Sequence, residues 1–272
     1  DLLLFTDADT RHASDLLSSA VASLLDDEAD AVSLVGRQIM ETFWERLVQP
    51  QIFFLLALRY PNLREPVGPD RAGEAIANGQ YFLFHRKAYE RIGGHRAVAG
   101  DVVEDMRLAH LLVRGGWRLV VRGTEGLRTR MYRSLGGLVE GWSKNVATAA
   151  LQSTVWWLRP VILPLSALVA VVLWMFPPVV LVWVLMNGTP ELTLLWGLIT
   201  TGLNVLIWSR ASVLMGSNPL FGFIYPLGSV LGFYIFLKSW LQGPRIRWKS
   251  RRYRIPQDVR KGSSAAAEEK GP

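Results

Sequence analysis

The sequence predicts an α/β domain built on a Rossmann-like sheet, followed by an α-helical transmembrane region. The continuously apolar run Leu2–Phe5 is typical of a buried strand, and strand, helix and strand alternate over residues 1–35. Long uncharged apolar runs fill most of residues 160–237, which favours membrane helices. The predicted units are the α/β domain over 1–150, transmembrane helices over 151–242, and a basic cytoplasmic tail over 243–272 that is disordered at its end.

The first predicted unit opens with strand Leu2–Phe5 and a polar turn. Ser14 is expected to cap a helix with leucines and alanines on one face, because serine accepts hydrogen bonds from helix N-termini. The acidic turn Asp26–Asp30 ends that helix, and Ala31–Val35 is the second strand. Residues 61–75 are a loop rich in proline and glycine. The later predicted elements are strand Gln80–Phe84, helix Arg86–Ile92, helix Asp101–Val113 and strand Leu119–Val121.

Residues 41–60 are apolar with charged margins, and the uncharged stretch is too short to cross a bilayer. Two interpretations stay open at this point. The segment is either a helix lying in the membrane interface or a buried helix of a soluble domain.

Three runs predict membrane-spanning helices, since about 20 apolar residues cross a bilayer. Pro160–Met186 has 27 residues without a charge, Leu192–Ser209 has 18, and Ala211–Leu237 has 27. Pro177-Pro178 is expected to kink or break the first run. If the α/β domain and the tail are both cytoplasmic, the number of crossings is even. Three runs then require either a re-entrant segment or a first run made of two short helices.

The charge is divided unevenly along the 272 residues. Residues 1–150 carry 18 Lys and Arg against 19 Asp and Glu, whereas residues 151–272 carry 12 against 4. A basic cluster that follows a long apolar region favours a membrane surface as partner and argues against nucleic acid. The absence of cysteine excludes disulfides and thiolate metal sites.

Two acidic pairs are candidates for chemistry. Asp7 and Asp9 directly follow the first strand, at the edge of an open sheet where ligands bind. Two carboxylates one residue apart suit Mg²⁺ or Mn²⁺ bound to a diphosphate, although a simple polar turn is the alternative. Glu104 and Asp105 lie near a helix start, where one could act as general base or both could serve the helix dipole. His95, after Gly93-Gly94, could be a ligand, a base or a loop histidine without a role.

A basic cluster precedes the first membrane run. It could bind a phosphate or attract anionic lipid headgroups, and composition does not separate these two functions. Its members are Arg128, Arg130, Arg133 and Lys144, with Tyr132 and Trp142 between them.

The order of the motifs resembles inverting family-2 glycosyltransferases with a GT-A fold. Within them it is most similar to the bacterial membrane branch that includes hopanoid-associated and carotenoid glycosyltransferases, and more distantly to ceramide glucosyltransferase. The resemblance spans residues 1 to about 255. Its motifs are Phe5–Thr10, Asn78–Phe84, Ile92–His95, Val103–Asp105, Arg130–Arg133, Gly141–Asn145 and Arg247–Tyr253.

The resemblance implies a metal-dependent transfer from a nucleotide-sugar donor to a lipid acceptor at the bacterial inner membrane. It implies that Asp7 and Asp9 bind Mg²⁺ or Mn²⁺ and the diphosphate, and that Asp105, beside Glu104, is the catalytic base. Trp142 matches the Trp of the family's Q-x-x-R-W element. Donor-binding residues are then Asp7, Asp9, Trp142, Lys144 and Arg133, and acceptor-site candidates are Asn78, Gly79, Gln80 and His95.

The Q-x-x-R-W element departs from the family pattern at two positions. Leu138 stands where Gln is expected and Gly141 where Arg is expected, which disfavours a processive polysaccharide synthase. Lys144 or Arg133 could replace the missing Arg. The resemblance also places the family's base-binding strands before Asp1, so the chain is expected to be an N-terminally truncated piece that is inactive alone. A processive synthase and a non-catalytic membrane scaffold are the alternative functions.

Overall fold

The computed structural model describes residues 1–60, 65–99, 101, 103–153, 159–188, 191–242, 245–248 and 251–254. Within these ranges, short 3₁₀ turns cover Pro69–Glu74, Gly94–Val98 and Pro219–Gly222, and Val171–Met175 is a π-helical turn. The remaining elements are β1 (Leu2–Thr6), β2 (Thr10–His12), α1 (Leu16–Asp26), β3 (Ala31–Gln38), α2 (Phe43–Arg59), β4 (Tyr81–His85), α3 (Arg86–Arg91), α4 (Glu104–Arg114), β5 (Leu119–Thr129), α5 (Leu135–Ser153), α6 (Arg159–Ala170), α7 (Phe176–Asn187), α8 (Glu191–Leu214), α9 (Tyr225–Gln242), β6 (Arg245–Trp248) and β7 (Arg251–Arg254).

The central sheet is mixed and has the strand order β1-β4-β3-β5-β2. Strands β3 and β5 are parallel, β4 runs antiparallel to both β1 and β3, and β2 runs antiparallel to β5. The predicted α/β class is therefore confirmed. Because β1, β3 and β5 run in one direction, their carboxyl ends meet at one edge of the sheet, where polar loops can converge.

Helices cover both faces of this sheet. Strand β4 alternates its side chains, so Leu83 faces a core formed with α1, whereas Phe84 faces a core formed with α4. Leu24 of α1 and Leu112 of α4 are both fully buried in these two cores. The two cores fix the strand ends and thus the position of the loops that follow them.

Three predicted boundaries are wrong. Helix α1 begins at Leu16, with Asp15 and not Ser14 at the N-cap position. Helix α4 begins at Glu104 and not at Asp101, so Asp101 lies in the preceding loop. Strand β5 continues to Thr129, because pairing with β3 and then with β2 keeps its polar second half extended.

Helix α2 contacts both the segment after β5 and the C-terminal helices. A capping box begins it: Thr42 accepts a hydrogen bond from the backbone of Glu45, and the Glu45 carboxylate accepts from the backbone of Thr42. Leu47 and Val48 are buried in a cluster formed with α5 and α9, whereas Leu58 is 60 % exposed. One side of α2 is thus buried and the other carries exposed apolar side chains, and its place in a membrane interface stays a prediction.

Among the described residues, two helices are long and apolar enough to cross a membrane, Leu168–Asn187 and Glu191–Leu214. The first runs from α6 through the π-helical turn into α7, so Pro177 and Pro178 leave it unbroken. The predicted break is therefore wrong, whereas a π-helical turn, Val171–Met175, lies just before the prolines at a place where helices commonly bend. Prolines lack the N–H that would bond the carbonyl of Leu173 four or five residues earlier, and the side-chain amide of Asn204 donates to that carbonyl instead, at 3.0 Å.

The third apolar run is not one helix. It is divided where α8 ends at Leu214 and where the 3₁₀ turn begins at Pro219. Helix α9 then packs against α2 and α5. In the basic tail, β6 and β7 form an antiparallel hairpin. The predicted disorder at the end of the tail falls on 255–272, outside the described residues.

Candidate active site

The first acidic motif lies in the turn between β1 and β2. Asp7 and Asp9 are both exposed there. The hydroxyl of Thr10 donates to the backbone carbonyl of Asp7 at 2.7 Å, which holds the turn closed. The imidazole of His12 lies within hydrogen-bond distance of Thr10 and Thr6, at 3.0 and 3.2 Å. No role was predicted for His12, because its two threonine partners come close to it only when the turn between β1 and β2 forms.

The predicted acceptor-site segment Asn78-Gly79-Gln80 lies directly before β4, beside this turn. Its shape is fixed by Ser33 of β3, whose hydroxyl accepts from the backbone N–H of Asn78 at 2.7 Å and donates to the Asn78 carbonyl at 3.1 Å. The side chains of Asn78 and Gln80 are also hydrogen-bonded, at 3.1 Å. The Gln80 carbonyl accepts from the backbone N–H of Asp7 at 3.4 Å, which joins the two loops.

Asp105 is held by two backbone donors. Gly79 N–H donates to its Oδ2 at 2.8 Å, and Met106 N–H donates to its Oδ1 at 2.7 Å. A Cβ on residue 79 would lie 3.4 Å from this carboxylate, which is an ordinary van der Waals contact, so the backbone N–H and not the missing side chain makes the interaction. The α4 start and the loop before β4 therefore fix both oxygens of the predicted base.

The carboxylates of the two acidic motifs share one electrostatic environment. Burial raises the pKa of Asp105 to about 6, with Glu104 and Asp7 adding to the rise, although the two backbone hydrogen bonds oppose it. The pKa of Asp7 is also raised: although the residue is exposed, partial desolvation of its carboxylate in the turn is the first cause, Asp9 and Glu104 add to the rise, and Lys144 lowers it. Like charges gathered in one place are typical of a site that binds a cation or works with a proton.

No group of three or more His, Cys, Asp or Glu side chains within the described ranges is arranged to hold a metal ion alone. Asp7 and Asp9 are two hard oxygen donors on one exposed turn, and they fit Mg²⁺ or Mn²⁺ if a diphosphate supplies further oxygen ligands. A cation there would also remove the repulsion that raises the Asp7 pKa. Metal binding remains a prediction.

The partial Q-x-x-R-W element faces the interior of the protein. Leu138 and Trp142 are buried in the cluster with α2 and α9, and the Trp142 ring packs on Phe53. The Tyr132 ring occupies the space that a Cβ on Gly141 would need, so an arginine there would have to displace the ring. Trp142 thus packs in the protein interior, and its contact with the donor stays a prediction.

The remaining candidates are placed separately. The Nδ1 atom of His95 lies 2.8 Å from the Tyr89 hydroxyl, and its ring packs on Phe5, two residues before Asp7. Arg133 is exposed in the segment before α5. Arg130 is held by hydrogen bonds within the protein, because it donates to Glu45 at 2.9 and 3.1 Å and to Glu41.

The structure brings Asp7, Asp9, Glu104, Asp105, Lys144 and Asn78-Gly79-Gln80 together and leaves Arg133 and Trp142 outside this group.

In a comparison with protein families, residues 1–261 match the model described as Glycosyl transferase family 21. No curated protein matches the chain. The match covers the sheet, the acidic site and the long apolar helices. The match confirms the predicted glycosyltransferase class, and the family that it shows is family 21. The bacterial membrane branch of family 2 stays a prediction.

Proposed function

The chain belongs to glycosyl transferase family 21, and from this membership we propose that it transfers a sugar from a nucleotide-sugar donor to a membrane lipid with inversion. The acceptor is a hydroxyl or carboxyl group on an isoprenoid, hopanoid, carotenoid or glycolipid. The observation that supports the proposal most strongly is Asp105. Its two oxygens are fixed by backbone donors and its pKa is raised to about 6 beside a second acidic motif.

Asp105 acts as the general base. At neutral pH it is ionised, and a pKa of about 6 lets it accept a proton under physiological conditions. It removes the proton of the acceptor hydroxyl while the oxygen attacks the anomeric carbon. The bond from that carbon to the diphosphate breaks on the opposite side, so one displacement inverts the configuration. The products are the glycosylated lipid, the nucleoside diphosphate and a proton on Asp105.

Asp7 and Asp9 would hold a divalent cation against the donor diphosphate, and Lys144 would add a positive charge beside it. When bound, the cation neutralises charge that develops on the leaving diphosphate. The charge of Lys144 lowers the pKa of Asp7, which supports a place for this lysine beside the donor diphosphate. It supplies the positive charge that the family's arginine would give at position 141, where an arginine would have to displace the Tyr132 ring.

The acceptor reaches this site from the bilayer. The two long apolar helices cross the bacterial inner membrane, and two crossings leave the catalytic domain and the basic tail on the same, cytoplasmic side. Helix α2 packs between the catalytic domain and the last helix, with apolar side chains exposed at Phe43 and Leu58, where a lipid can approach.

A processive polysaccharide synthase is the second candidate, and a membrane scaffold the third. Leu138 and Gly141 disfavour the synthase, because both positions of the synthase element that would face substrate are packed inside. Product analysis separates the two enzymes, since single transfer gives one sugar per acceptor and a synthase gives a ladder.

The experiment is transfer of labelled sugar from nucleotide-sugar donors to a lipid extract by the full-length protein, with Mg²⁺ or Mn²⁺. The Asp105→Asn variant is compared with Asp70→Asn, which removes one exposed carboxylate far from the acidic site in sequence. We expect loss of about 10²-fold or more in rate for Asp105→Asn only. Equal rates in both variants would remove Asp105 as base. A full-length protein that binds no sugar nucleotide with either metal would favour the scaffold.

A further inference from the structure

Three arginines lie in one row across the sheet. Arg11 of β2 is the register partner of Arg128 of β5, and Arg128 is in turn the register partner of Arg37 of β3. Residues directly opposite on neighbouring strands point to the same face of the sheet. All three are exposed, whereas Leu127 and Thr129 on either side of Arg128 are buried. One face of the sheet edge therefore presents three guanidinium groups to the outside.

This arrangement is unfavourable without a counter-ion, because like charges directly opposite on neighbouring strands repel. Arg37 has one, since its Nη1 lies 2.8 Å from the carboxylate of Glu125. Within the described part of the chain, neither Arg11 nor Arg128 lies within ion-pair distance of a carboxylate. The row therefore keeps an excess of positive charge that an external anion would neutralise.

The row lies at the level where the second long apolar helix ends. The guanidinium of Arg37 occupies the space that a Cβ on Gly216 would need, in the turn that follows the end of α8 at Leu214. Gly216 has a left-handed backbone (φ 72°), which allows this close contact. If α8 crosses the membrane, its end reaches the headgroup layer, and Arg37 holds the sheet edge against that end.

We propose that Arg11, Arg128 and Arg37 bind the phosphate of an anionic phospholipid in the cytoplasmic leaflet. Arginine suits this ligand because its planar fork donates to two phosphate oxygens at once. The interaction orients the catalytic domain on the membrane. The proposal rests on membrane crossing by α8, which is part of the proposed function, and not on sugar transfer. It also assigns Arg128 to the lipid surface and leaves Lys144 to the acidic site.

The test measures the stabilisation of the full-length protein by phosphatidylglycerol. The protein is placed in nanodiscs of phosphatidylcholine with increasing phosphatidylglycerol, and its Tm is followed at low and high NaCl, since a bound ligand raises the Tm. We expect phosphatidylglycerol to raise the Tm at low salt, and Arg11→Gln with Arg128→Gln to weaken the apparent affinity roughly 25-fold, about fivefold for each charge. Arg11→Lys with Arg128→Lys keeps the charge but loses the planar fork, so it should weaken the affinity less than the glutamine pair does.

The matched control removes two exposed arginines outside the row, Arg91→Gln with Arg114→Gln. An equal response to phosphatidylglycerol in the row variant, the control and the wild type would overturn the proposal. So would a row variant that keeps this response but loses affinity for the nucleotide sugar, because the row would then belong to the donor site. A rise in Tm with inorganic phosphate in detergent, without a rise with phosphatidylglycerol, would also contradict it. None of these readouts depends on transfer activity, so they separate this proposal from the proposed reaction.

Discussion

Replacing Glu45 by Gln should destabilise the protein by separating α2 from the end of β5. Glu45 is completely buried, and it accepts hydrogen bonds from Arg130 at 2.9 and 3.1 Å and from the backbone of Thr42 and Glu41. Burial alone would raise its pKa, but the hydrogen bonds, that of Arg130 first, lower it from the ordinary 4.5 to about 2.

The difference between these two pKa values corresponds to about 3 kcal/mol of unfolding free energy above pH 4.5. Gln keeps the size of the side chain and one acceptor oxygen, so we expect a loss of about 2 kcal/mol. For a chain of this length that is a fall in Tm of about 4–8 °C. Differential scanning fluorimetry of the detergent-solubilised protein measures it.

Glu140→Gln is the control for this prediction, because Glu140 is an exposed carboxylate on α5. The sign of the pH dependence gives a second check. A lowered folded pKa means that the stabilisation is complete above pH 4.5 and is lost as the pH falls towards 2, so wild type and Glu45→Gln should converge in acid. Equal Tm values at neutral pH for wild type, Glu45→Gln and Glu140→Gln would refute the reasoning.

Three further perturbations test separate parts of the structure. Asn204→Leu leaves the Leu173 carbonyl without its donor, because the residues four and five positions later are prolines. The substitution should lower the stability of the protein in detergent by about 1–3 kcal/mol, and an unchanged Tm would contradict this. Gly141→Ala should cost about 1–3 kcal/mol by overpacking against Tyr132, and shortening Tyr132 to Leu in the same chain should recover part of the loss. Burial, with nearby arginines, lowers the pKa of His110 to about 4. The unfolded state therefore binds more protons than the folded state between pH 6.5 and 4, and stability should fall as the pH is lowered through this range. The fall should be smaller in His110→Gln, and Tm values measured across the range test this.

The strands that position the site could be predicted because each is a local pattern. Leu2–Phe5, Ala31–Val35 and Gln80–Phe84 are apolar runs bounded by polar turns, and the structure contains strands at all three places. The position of Asp7 at the sheet edge followed from the rule that ligands bind at the carboxyl ends of strands. The convergence of Asp7 with Asp105 did not follow from this rule, because Asp105 lies in the first turn of α4 and only the family resemblance placed both residues in one site.

The second half of β5 could not be predicted in this way. It contains Gly123, Glu125 and Gly126, which have low strand propensity, and it is extended because β3 and β2 pair with it. The row of Arg11, Arg128 and Arg37 depends on the same pairings, so it was also invisible in the sequence.

Long-range polar contacts decided the roles of the basic residues before the membrane. Arg130 and Glu45 are 85 positions apart, and no spacing rule connects them. From the sequence, one basic cluster was predicted, with the members Arg128, Arg130, Arg133 and Lys144. In the structure, Arg130 donates to Glu45, whereas the charge of Lys144 acts on Asp7.

The central claim is that Asp105 is the general base of a sugar transfer, and the pH dependence of kcat/KM tests it most directly. The base must be ionised to act, so kcat/KM of the full-length protein should rise about tenfold per pH unit in acid and level off above a pKa near 6. In Asp105→Asn, the small remaining activity should lose this dependence. A wild-type profile that is flat between about pH 5 and 8, or an Asp105→Asn profile that keeps the same rise, would contradict the account.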